Sequence, residues 1–430
     1  MNAAMHPATH PPLDDSLEIR DPALREAALM AALPAQLRAA LAVPALAQRL
    51  GNIAPETVTT RAALAQLPVT RKHELLERQQ AERGADVFGG YSALGWNAQR
   101  ALRPARRVYQ SPGPIYEPEG HGADYWRCAR AMRAAGFVAG DLVHNSFSYH
   151  LTPGAWIMES GAHALGCTVF PGGVGNTDLQ LQAAAHLRPD AYAGTPSFLR
   201  ILMEKAAEGG IALPSLKKAL VSGEAFPPSL RDWLRERGVE AYQAYATADV
   251  GVIAYETAAR EGLVLDDGVI VEIVRPGTGD LVPDGEVGEV VVTVFNPDYP
   301  LVRFGTGDLS AVLAGRCPTG RSNTRIKGWL GRADQTAKVR GMFVHPAQVA
   351  EVLRRHPGLT RARLVVEGEM ANDRMSLHVE SAAGAHSSTL STDIANSVRD
   401  VTKLRADIVL AAPGSLPNDG KVIDDKRSYA

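Results

Sequence analysis

Short apolar runs alternate with amphipathic stretches through the middle of the chain. From Asp141 onward the sequence contains DLVHNSFSY, GAWIMESGAHAL, CTVFPGG, DLQLQAAAHL, AYAG, PSFLRILMEKAAE and KKALVSG. Apolar runs separated by helical stretches are typical of βαβ units, whose strands form a parallel sheet. The pattern therefore predicts an α/β fold with a parallel sheet in this region.

Different patterns flank the α/β region. The opening to about Leu50 is rich in Ala, Leu and Arg and predicts short amphipathic helices, punctuated by Pro12 and Pro34. Farther along, the β-rich runs VIVEIV and EVGEVVVTVF bracket a PGTGDLVPDG turn cluster, which predicts a hairpin on an antiparallel subdomain. After Gly331 the predicted order is helix, strands and helix. This order indicates a small α+β domain of about 100 residues.

Composition and charge restrict the class of protein. The chain has 430 residues, which is too long for one average domain, and 45% of them are hydrophobic and 21% charged, the balance of a soluble globular protein. A formal net charge of -2 provides no global field that would attract nucleic acid or an anionic membrane. We expect small-molecule partners, with neither a nucleic acid nor a membrane among them.

The cysteines and the N-terminus favour a cytoplasmic protein. Cys128, Cys167 and Cys317 lie far apart and form no C-x-x-C pair, so neither a disulfide framework nor a cysteine zinc site is indicated. The first residues lack a basic segment followed by an apolar core, which a signal peptide would have.

Five short segments carry the candidate chemistry, and each alone would be a weak signal. They are Ser222–Ala225, Tyr245–Asp249, Arg303–Asp308 (RFGTGD), Gly331–Gly341 (GRADQTAKVRG) and Leu416–Lys421 (LPNDGK). In order and spacing they resemble the motifs of the adenylate-forming superfamily, and in particular its phenylacetate-CoA ligase type. The resemblance extends from Tyr109 to Lys421.

The resemblance implies an architecture and an activity. It implies a large N-terminal adenylation domain over residues 1–333, which binds nucleotide and acid, and a small mobile lid domain over residues 334–430. The implied enzyme is an acid-thiol ligase that uses ATP and Mg2+ to form an acyl-adenylate and then transfers the acyl group to coenzyme A. A homodimer is also common in the family that this chain resembles.

Joining a carboxylate to ATP brings two anions together, so the reaction requires fixed cations and donors in a site without water. By resemblance, Lys421 bridges the acid carboxylate and the α-phosphate, Asp308 accepts hydrogen bonds from the ribose hydroxyls, and Arg332 contacts the nucleotide. Asp334 matches the hinge between the domains. Gly341 matches a position near the CoA path, although a plain turn glycine is an equally good interpretation.

Two segments match those that form one side of the family's nucleotide site, here called the nucleotide wall. The residues beside adenine are Ser222, Gly223, Glu224 and Ala225, where glycine permits a close backbone approach. In the other segment Tyr245 stacks on adenine, and Asp249 holds magnesium, an ion that commonly uses one or two carboxylates together with phosphates and water. Ala246 and Thr247 complete this wall. At position 248 the family has a hydroxyl residue, whereas this chain has alanine. The neighbouring Thr247 can supply the hydroxyl in its place.

The acid pocket is predicted from two stretches that resemble the acyl side of the family's site. Phe147 and Tyr149 suit an aromatic or apolar acid, although the alternation from Leu142 to Tyr149 fits a half-buried strand equally well. His150 is expected at the pocket mouth. The glycines Gly172 and Gly173 belong to the second stretch, PGGVG.

The largest departure from the family lies in the phosphate loop. Where members have a loop of the type SSGTTGxP, this chain has YQSPGPIYEP. Pro112, Pro114 and Pro118 have no N–H to donate, and Glu117 adds negative charge. We therefore expect ATP to bind no more tightly than AMP. In an active ligase, magnesium on Asp249 or side chains such as Ser111 and Thr247 must replace the missing donors, and turnover should depend strongly on magnesium.

Two alternative functions stay open at this level. The acceptor could be a carrier-protein thiol or an amine in place of CoA. The altered loop also fits a degenerate homologue that acts as a binding protein. A dinucleotide-binding dehydrogenase is rejected because PGGVG lacks the G-x-G-x-x-G spacing.

Overall fold

The computed structural model describes residues 16–96, 103–333, 337–339, 342–368, 374–381, 388–417, 419 and 421–427. The chain divides into two compact units. The first comprises residues 1–271, 292–304 and 313–328, and the second comprises residues 272–291, 305–312 and 329–430. The division into domains 1–333 and 334–430 stays a prediction.

The helices of the first unit include those predicted between the apolar runs. Their bounds are Ser16–Ile19, Pro22–Leu41, Pro44–Leu50, Arg61–Ala65, Lys72–Glu82, Ala129–Ala134, Gly154–Ala164, Thr177–Leu187, Pro196–Glu208 and Pro228–Glu236, with a 3-10 turn at Pro55–Thr57.

The helix Pro22–Leu41 contradicts one sequence prediction, because it continues through Pro34. Asp21 caps its start by accepting hydrogen bonds from Ala23 and Leu24. A proline inside a helix costs about 3 kcal/mol. The helix buries a stripe of side chains, and burying two or three such apolar groups offsets that cost. The stripe comprises Leu29, Met30, Leu33, Leu37 and Ala40.

A nine-stranded sheet organises the first unit. Its order is Val312–Leu313, Arg325–Ile326, Leu263–Leu265, Gly251–Glu256, Glu240–Thr247, Lys218–Val221, Ala191–Gly194, Leu142–Asn145 and Thr168–Pro171. The last five strands in this order pair in parallel, as the alternating pattern predicted. Gly251–Glu256 and Leu263–Leu265 extend the sheet by antiparallel pairing.

The remaining strands form smaller sheets. Arg107–Ser111 and Ile115–Glu119 form an antiparallel hairpin, and Leu94–Gly95 pairs in parallel with Arg103–Pro104. A four-stranded sheet has the order Thr70–Arg71, Phe304–Ser310, Gly288–Val294 and Val269–Val274. The two β-rich runs of the predicted subdomain are thus neighbouring strands.

The C-terminal part of the second unit is α+β, as predicted. The helices Pro346–Arg355 and Ser388–Thr402 accompany a sheet of order Asp407–Ala411, Arg374–Ser381, Leu359–Glu367 and Ile423–Asp425, and Ala337–Val339 pairs with Met342–Val344. A core that includes Val349, Leu364, Leu377 and Ile394 holds these elements together.

No single helix among the described residues is long and apolar enough to cross a membrane. The helices Pro22–Leu41 and Pro44–Leu50 meet the length and composition only as a pair, and they are bent by 115° at the break between them.

Candidate active site

The segments predicted to bind acid and nucleotide in the first unit follow parallel strands at one edge of the nine-stranded sheet. Three segments begin at the ends of their strands, and the fourth, Tyr245–Asp249, begins inside its strand and continues past its end. The carboxyl ends of parallel strands meet at the same edge, where α/β sheets bind ligands. The strand ends and following segments are Asn145 with 146–150, Pro171 with 172–175, Val221 with 222–225, and Thr247 with 248–249.

Phe147, which is predicted to line the acid pocket, lies near Gly223, which is predicted to lie beside adenine. A Cβ atom built on Gly223 would lie 3.6 Å from the Phe147 ring. Gly223 has φ +82°, a conformation that side chains of L residues rarely adopt. The strand ends at Asn145, so Phe147 and Tyr149 lie in the loop beyond it. The half-buried strand considered as an alternative does not reach them.

Tyr149 is held by three neighbours. Its ring meets Trp156 edge to face with centroids 5.0 Å apart. Its hydroxyl donates to Oε2 of Glu159 at 2.7 Å and accepts from Nδ2 of Asn145 at 2.9 Å. Burial and the bond to Glu159 raise the pKa of Tyr149, so it stays a neutral, fixed aromatic group.

The second acid-pocket stretch packs against a buried histidine that sequence reasoning missed. A Cβ on Gly172 would lie 2.7 Å from Nε2 of His144, so this position has no room for a side chain. Burial lowers the pKa of His144, and its ring nitrogen is 2.7 Å from Oε1 of Gln180. Gly173 lies beside the Tyr149 ring. His150 is exposed.

The adenine-side residues divide into buried and exposed members. Ser222 donates its hydroxyl hydrogen bond to the carbonyl of Ala244 at 2.7 Å, which ties two neighbouring strands together. The following residues 223–225 are exposed. Tyr245 is 9% exposed and lies at a shift in strand register between itself and Ala246. Such bulges commonly redirect a side chain next to an active site.

The hydroxyl of Thr247 accepts a hydrogen bond from the backbone N–H of Val250 at 3.3 Å. Asp249 is buried, and its Oδ2 accepts a hydrogen bond from Nζ of Lys72 at 2.9 Å. This pair was not predicted from the sequence, because the two residues are 177 positions apart.

The altered phosphate loop is a tight hairpin. Ser111 pairs with Ile115, so only residues 112–114 connect the two strands. Of these, Gly113 alone has an N–H, because the other two are prolines. Ser111 was expected to replace missing donors, but its side chain is buried. Glu117, on the same hairpin, is fully buried as well.

In the second unit Asp308 is the acceptor of a small donor network. Its Oδ1 accepts from Nη1 of Arg332 at 3.0 Å and from Nε1 of Trp329 at 3.1 Å. Asp308 and Arg332 also form a backbone β-bridge. The side chain of Asp308 is 10% exposed and that of Arg332 is 46% exposed. Trp329 was not predicted from the sequence.

Lys421 lines a cavity of about 230 Å³ that Arg332 also lines, within the second unit. The Lys421 ammonium is half-exposed and lies 3.3 Å from Oδ1 of Asp424. The structure therefore brings two of the predicted cations to one cavity. Asp334 and Gly341 lie outside the described residues.

Comparison with protein families gives two matches. Residues 125–294 match the AMP-binding enzyme family, and residues 341–427 match the C-terminal domain of AMP-binding enzymes.

Similar proteins are phenylacetate-coenzyme A ligases. The one from Aromatoleum evansii is 30% identical over 345 residues, which covers 76% of this chain and 74% of the relative. The one from Pseudomonas putida is 31% identical over 326 residues, covering 72% and 70%.

A solved structure is similar over nearly the full length of both chains. It is an open conformation of 2-hydroxyisobutyryl-CoA ligase in complex with 2-HIB-AMP and CoA. Its TM-score is 0.69 at 26% identity, and the match covers 95% of this chain and 94% of that one.

Proposed function

The chain belongs to the phenylacetate-CoA ligase family of AMP-binding enzymes, and on that basis we propose that it activates an aryl carboxylic acid with ATP and transfers it to coenzyme A. In the first half-reaction a carboxylate oxygen attacks the α-phosphorus, and the bond to pyrophosphate breaks to give acyl-AMP. In the second, the CoA sulfur attacks the acyl carbon, and AMP leaves with the electron pair of its oxygen–carbon bond.

The observation that carries this proposal is the position of Phe147 beside Gly223. One segment is assigned to the acid and the other to adenine, and their proximity supports an acid pocket next to the nucleotide. The aromatic pair Tyr149 and Trp156 lies in the same region. Ligand pockets are lined mostly by apolar and aromatic side chains, so the aromatic residues at the predicted acid segment support an aryl acid over a short aliphatic one.

The nucleotide roles remain part of the proposal. Tyr245 stacks on adenine, Asp308 and Arg332 hold the ribose and phosphate side, and Lys421 supplies the charge that joins the two anions. Magnesium accompanies ATP through the nucleotide's own phosphates. The proposed location is the cytoplasm, in keeping with three buried cysteines that form no disulfide.

ATP–pyrophosphate exchange over a panel of aryl and short aliphatic acids tests the first half-reaction. We expect exchange to depend on an aryl acid. Exchange with no acid of the panel would overturn the proposal and favour a binding protein, an alternative motivated by the closed hairpin Arg107–Glu119.

The acceptor is tested with adenylated acid in a second assay. We expect thioester to form with CoA and none to form with a carrier protein or an amine. Product only with a carrier-protein thiol would keep the adenylation and change the acceptor. Light scattering during the same work measures whether the enzyme is a homodimer.

A further inference from the structure

Gln180 binds the second acid-pocket stretch, residues 172–175, through its side chain. The residue lies in the helix Thr177–Leu187 and is 3% exposed. Its Nε2 donates to the carbonyl of Gly173 at 2.9 Å and to the carbonyl of Gly175 at 2.6 Å. Both amide hydrogens of Gln180 are therefore used on the backbone of one short loop.

His144 fixes the orientation of this amide. Because the amide nitrogen of Gln180 faces two carbonyls, its Oε1 is the atom that faces Nε2 of His144, at 2.7 Å. An amide oxygen only accepts, so Nε2 of His144 carries the proton and donates it. The His144 ring is buried and meets the Phe170 ring edge to face, with centroids 5.2 Å apart. Gln180 is thus held on its other side by a fixed, buried donor.

The conformation of the loop depends on these contacts. Gly173 has φ +69° and Gly175 has φ +72°, and glycine is the residue whose backbone is least restricted. A Cβ on Gly172 would lie 2.7 Å from Oε1 of Gln180, so the loop backbone packs directly on the amide. Removal of the amide would leave the carbonyls of Gly173 and Gly175 without this partner, and we expect the loop to adopt further conformations.

The same loop faces Tyr149. A Cβ on Gly173 would lie 3.9 Å from Cδ2 of the Tyr149 ring. Asn145 joins the two, because its carbonyl accepts from the N–H of Gly173 at 3.0 Å and its Nδ2 donates to the Tyr149 hydroxyl at 2.9 Å. The ring is fixed by its own neighbours, whereas the position of the loop depends on Gln180.

We propose that Gln180 is a positioning residue that holds residues 172–175 against Tyr149 and thereby sets how well the aryl acid fits its pocket. The inference rests on the proposed function, and it adds a residue that lies on a helix outside the predicted acid segments. Because Gln180 acts through the loop, its substitution should affect the acid and leave the nucleotide unaffected.

Pyrophosphate exchange tests the proposal, with benzoate, phenylacetate and 3-phenylpropionate as the acid probes. For Gln180→Met, which keeps the length of the side chain and removes both donors, we expect the KM of the best aryl acid to rise about tenfold, the range for loss of two neutral hydrogen bonds. The KM of ATP and the AMP affinity measured by calorimetry should not change, and kcat should stay within about twofold of the parent value. The preference among the three acids should narrow.

The matched control is Gln182→Met, which changes an exposed glutamine on the same helix. This variant should keep the KM of the acid. Because Gln180→Met leaves the buried donor of His144 unpaired, it is expected to lose stability. The double variant His144→Leu/Gln180→Met removes both polar partners, so it should unfold closer to the parent temperature and still show the raised KM.

Three results would overturn the proposal. They are an unchanged KM of the acid in Gln180→Met, an equal rise in the KM of ATP, and a parent-like KM of the acid in the double variant. Failure of the proposed function is distinguishable, because it appears in the parent: if the parent shows no exchange with any of the three acids, the aryl-acid activity fails, and this inference fails with it.

Discussion

Asp308 illustrates how much of the candidate site depends on single acceptors. Its buried carboxylate accepts hydrogen bonds from Trp329 and Arg332, which are both on the segment that follows in the second unit. Asp308 lies within the strand Phe304–Ser310, so these two donors fix the orientation of a carboxylate on a regular element. A fixed carboxylate is compatible with the proposed role as a ribose acceptor.

Asp308→Ala is expected to weaken ATP and AMP alike, because both contain the ribose. The expected loss is about 2 kcal/mol, or about 30-fold, for loss of hydrogen bonds to a charged acceptor. Calorimetry with each nucleotide measures it. Trp329→Phe is the control: it removes one donor, keeps Arg332 on Asp308, and should cost less. Unchanged affinities in Asp308→Ala would exclude Asp308 from the nucleotide site and leave it a structural strand residue.

Glu117 predicts a pH dependence of stability. Its pKa is raised in the folded state above the ordinary 4.5 by burial and by Asp249. Between the ordinary pKa of 4.5 and the folded-state pKa of about 8, the folded protein binds more protons than the unfolded chain. The free energy of unfolding therefore falls as pH rises through this range. The slope reaches about 1.4 kcal/mol per pH unit at most.

Glu117→Gln removes this titration and keeps the shape of the side chain. We expect parent and variant to unfold at similar temperatures near about pH 4, and the variant to be the more stable near about pH 8.5. Glu208→Gln, at an exposed helix position, should show no such pH-dependent difference. A constant gap between Glu117→Gln and the parent at all pH values would contradict the titration.

At the scale of elements, local pattern predicted the parallel sheet well. Apolar runs such as AYAG and KKALV became adjacent buried strands because burial on both faces selects continuous apolar sequence. Pro34 was misjudged, since tertiary burial outweighed its local cost. The ion pair of Lys72 with Asp249 could not be predicted, because it depends on elements that meet only in the folded chain.

The hairpin Arg107–Glu119 supports an element-scale prediction about ATP. Its three-residue connection cannot surround the β- and γ-phosphates with N–H groups, so these phosphates gain little over AMP. In EDTA we expect ATP and AMP to bind with similar affinity. Restoring two donors in Pro112→Ala/Pro114→Ala should shift the ratio only slightly, because the connection stays short. ATP binding about tenfold tighter than AMP in the parent would contradict this interpretation.

At the scale of the whole molecule, the residues assigned to the reaction belong to both compact units. Phe147, Tyr245 and Asp249 are in the first, whereas Asp308 and Lys421 are in the second. Binding and chemistry can be separated by substituting residues with different assigned roles, such as Asp308 and Lys421. A residue that contacts the transition state more strongly than the ground state affects turnover more than affinity.

Lys421→Ala tests this separation. The lysine ammonium is half-exposed and paired only loosely, at 3.3 Å, with Asp424, so its removal should not disturb the fold. We expect acid-dependent adenylate formation to be abolished and AMP affinity to stay close to that of the parent, because the charge matters most when two anions are joined. Pyrophosphate exchange measures the rate of adenylate formation, and calorimetry measures AMP affinity.

Lys426→Ala, which removes a similarly exposed lysine 3.4 Å from Glu367, is the matched control and should keep both the rate and the affinity. An unchanged rate of adenylate formation in Lys421→Ala would remove this lysine from the mechanism, whereas an equal loss of AMP affinity and rate would make it a nucleotide-binding residue.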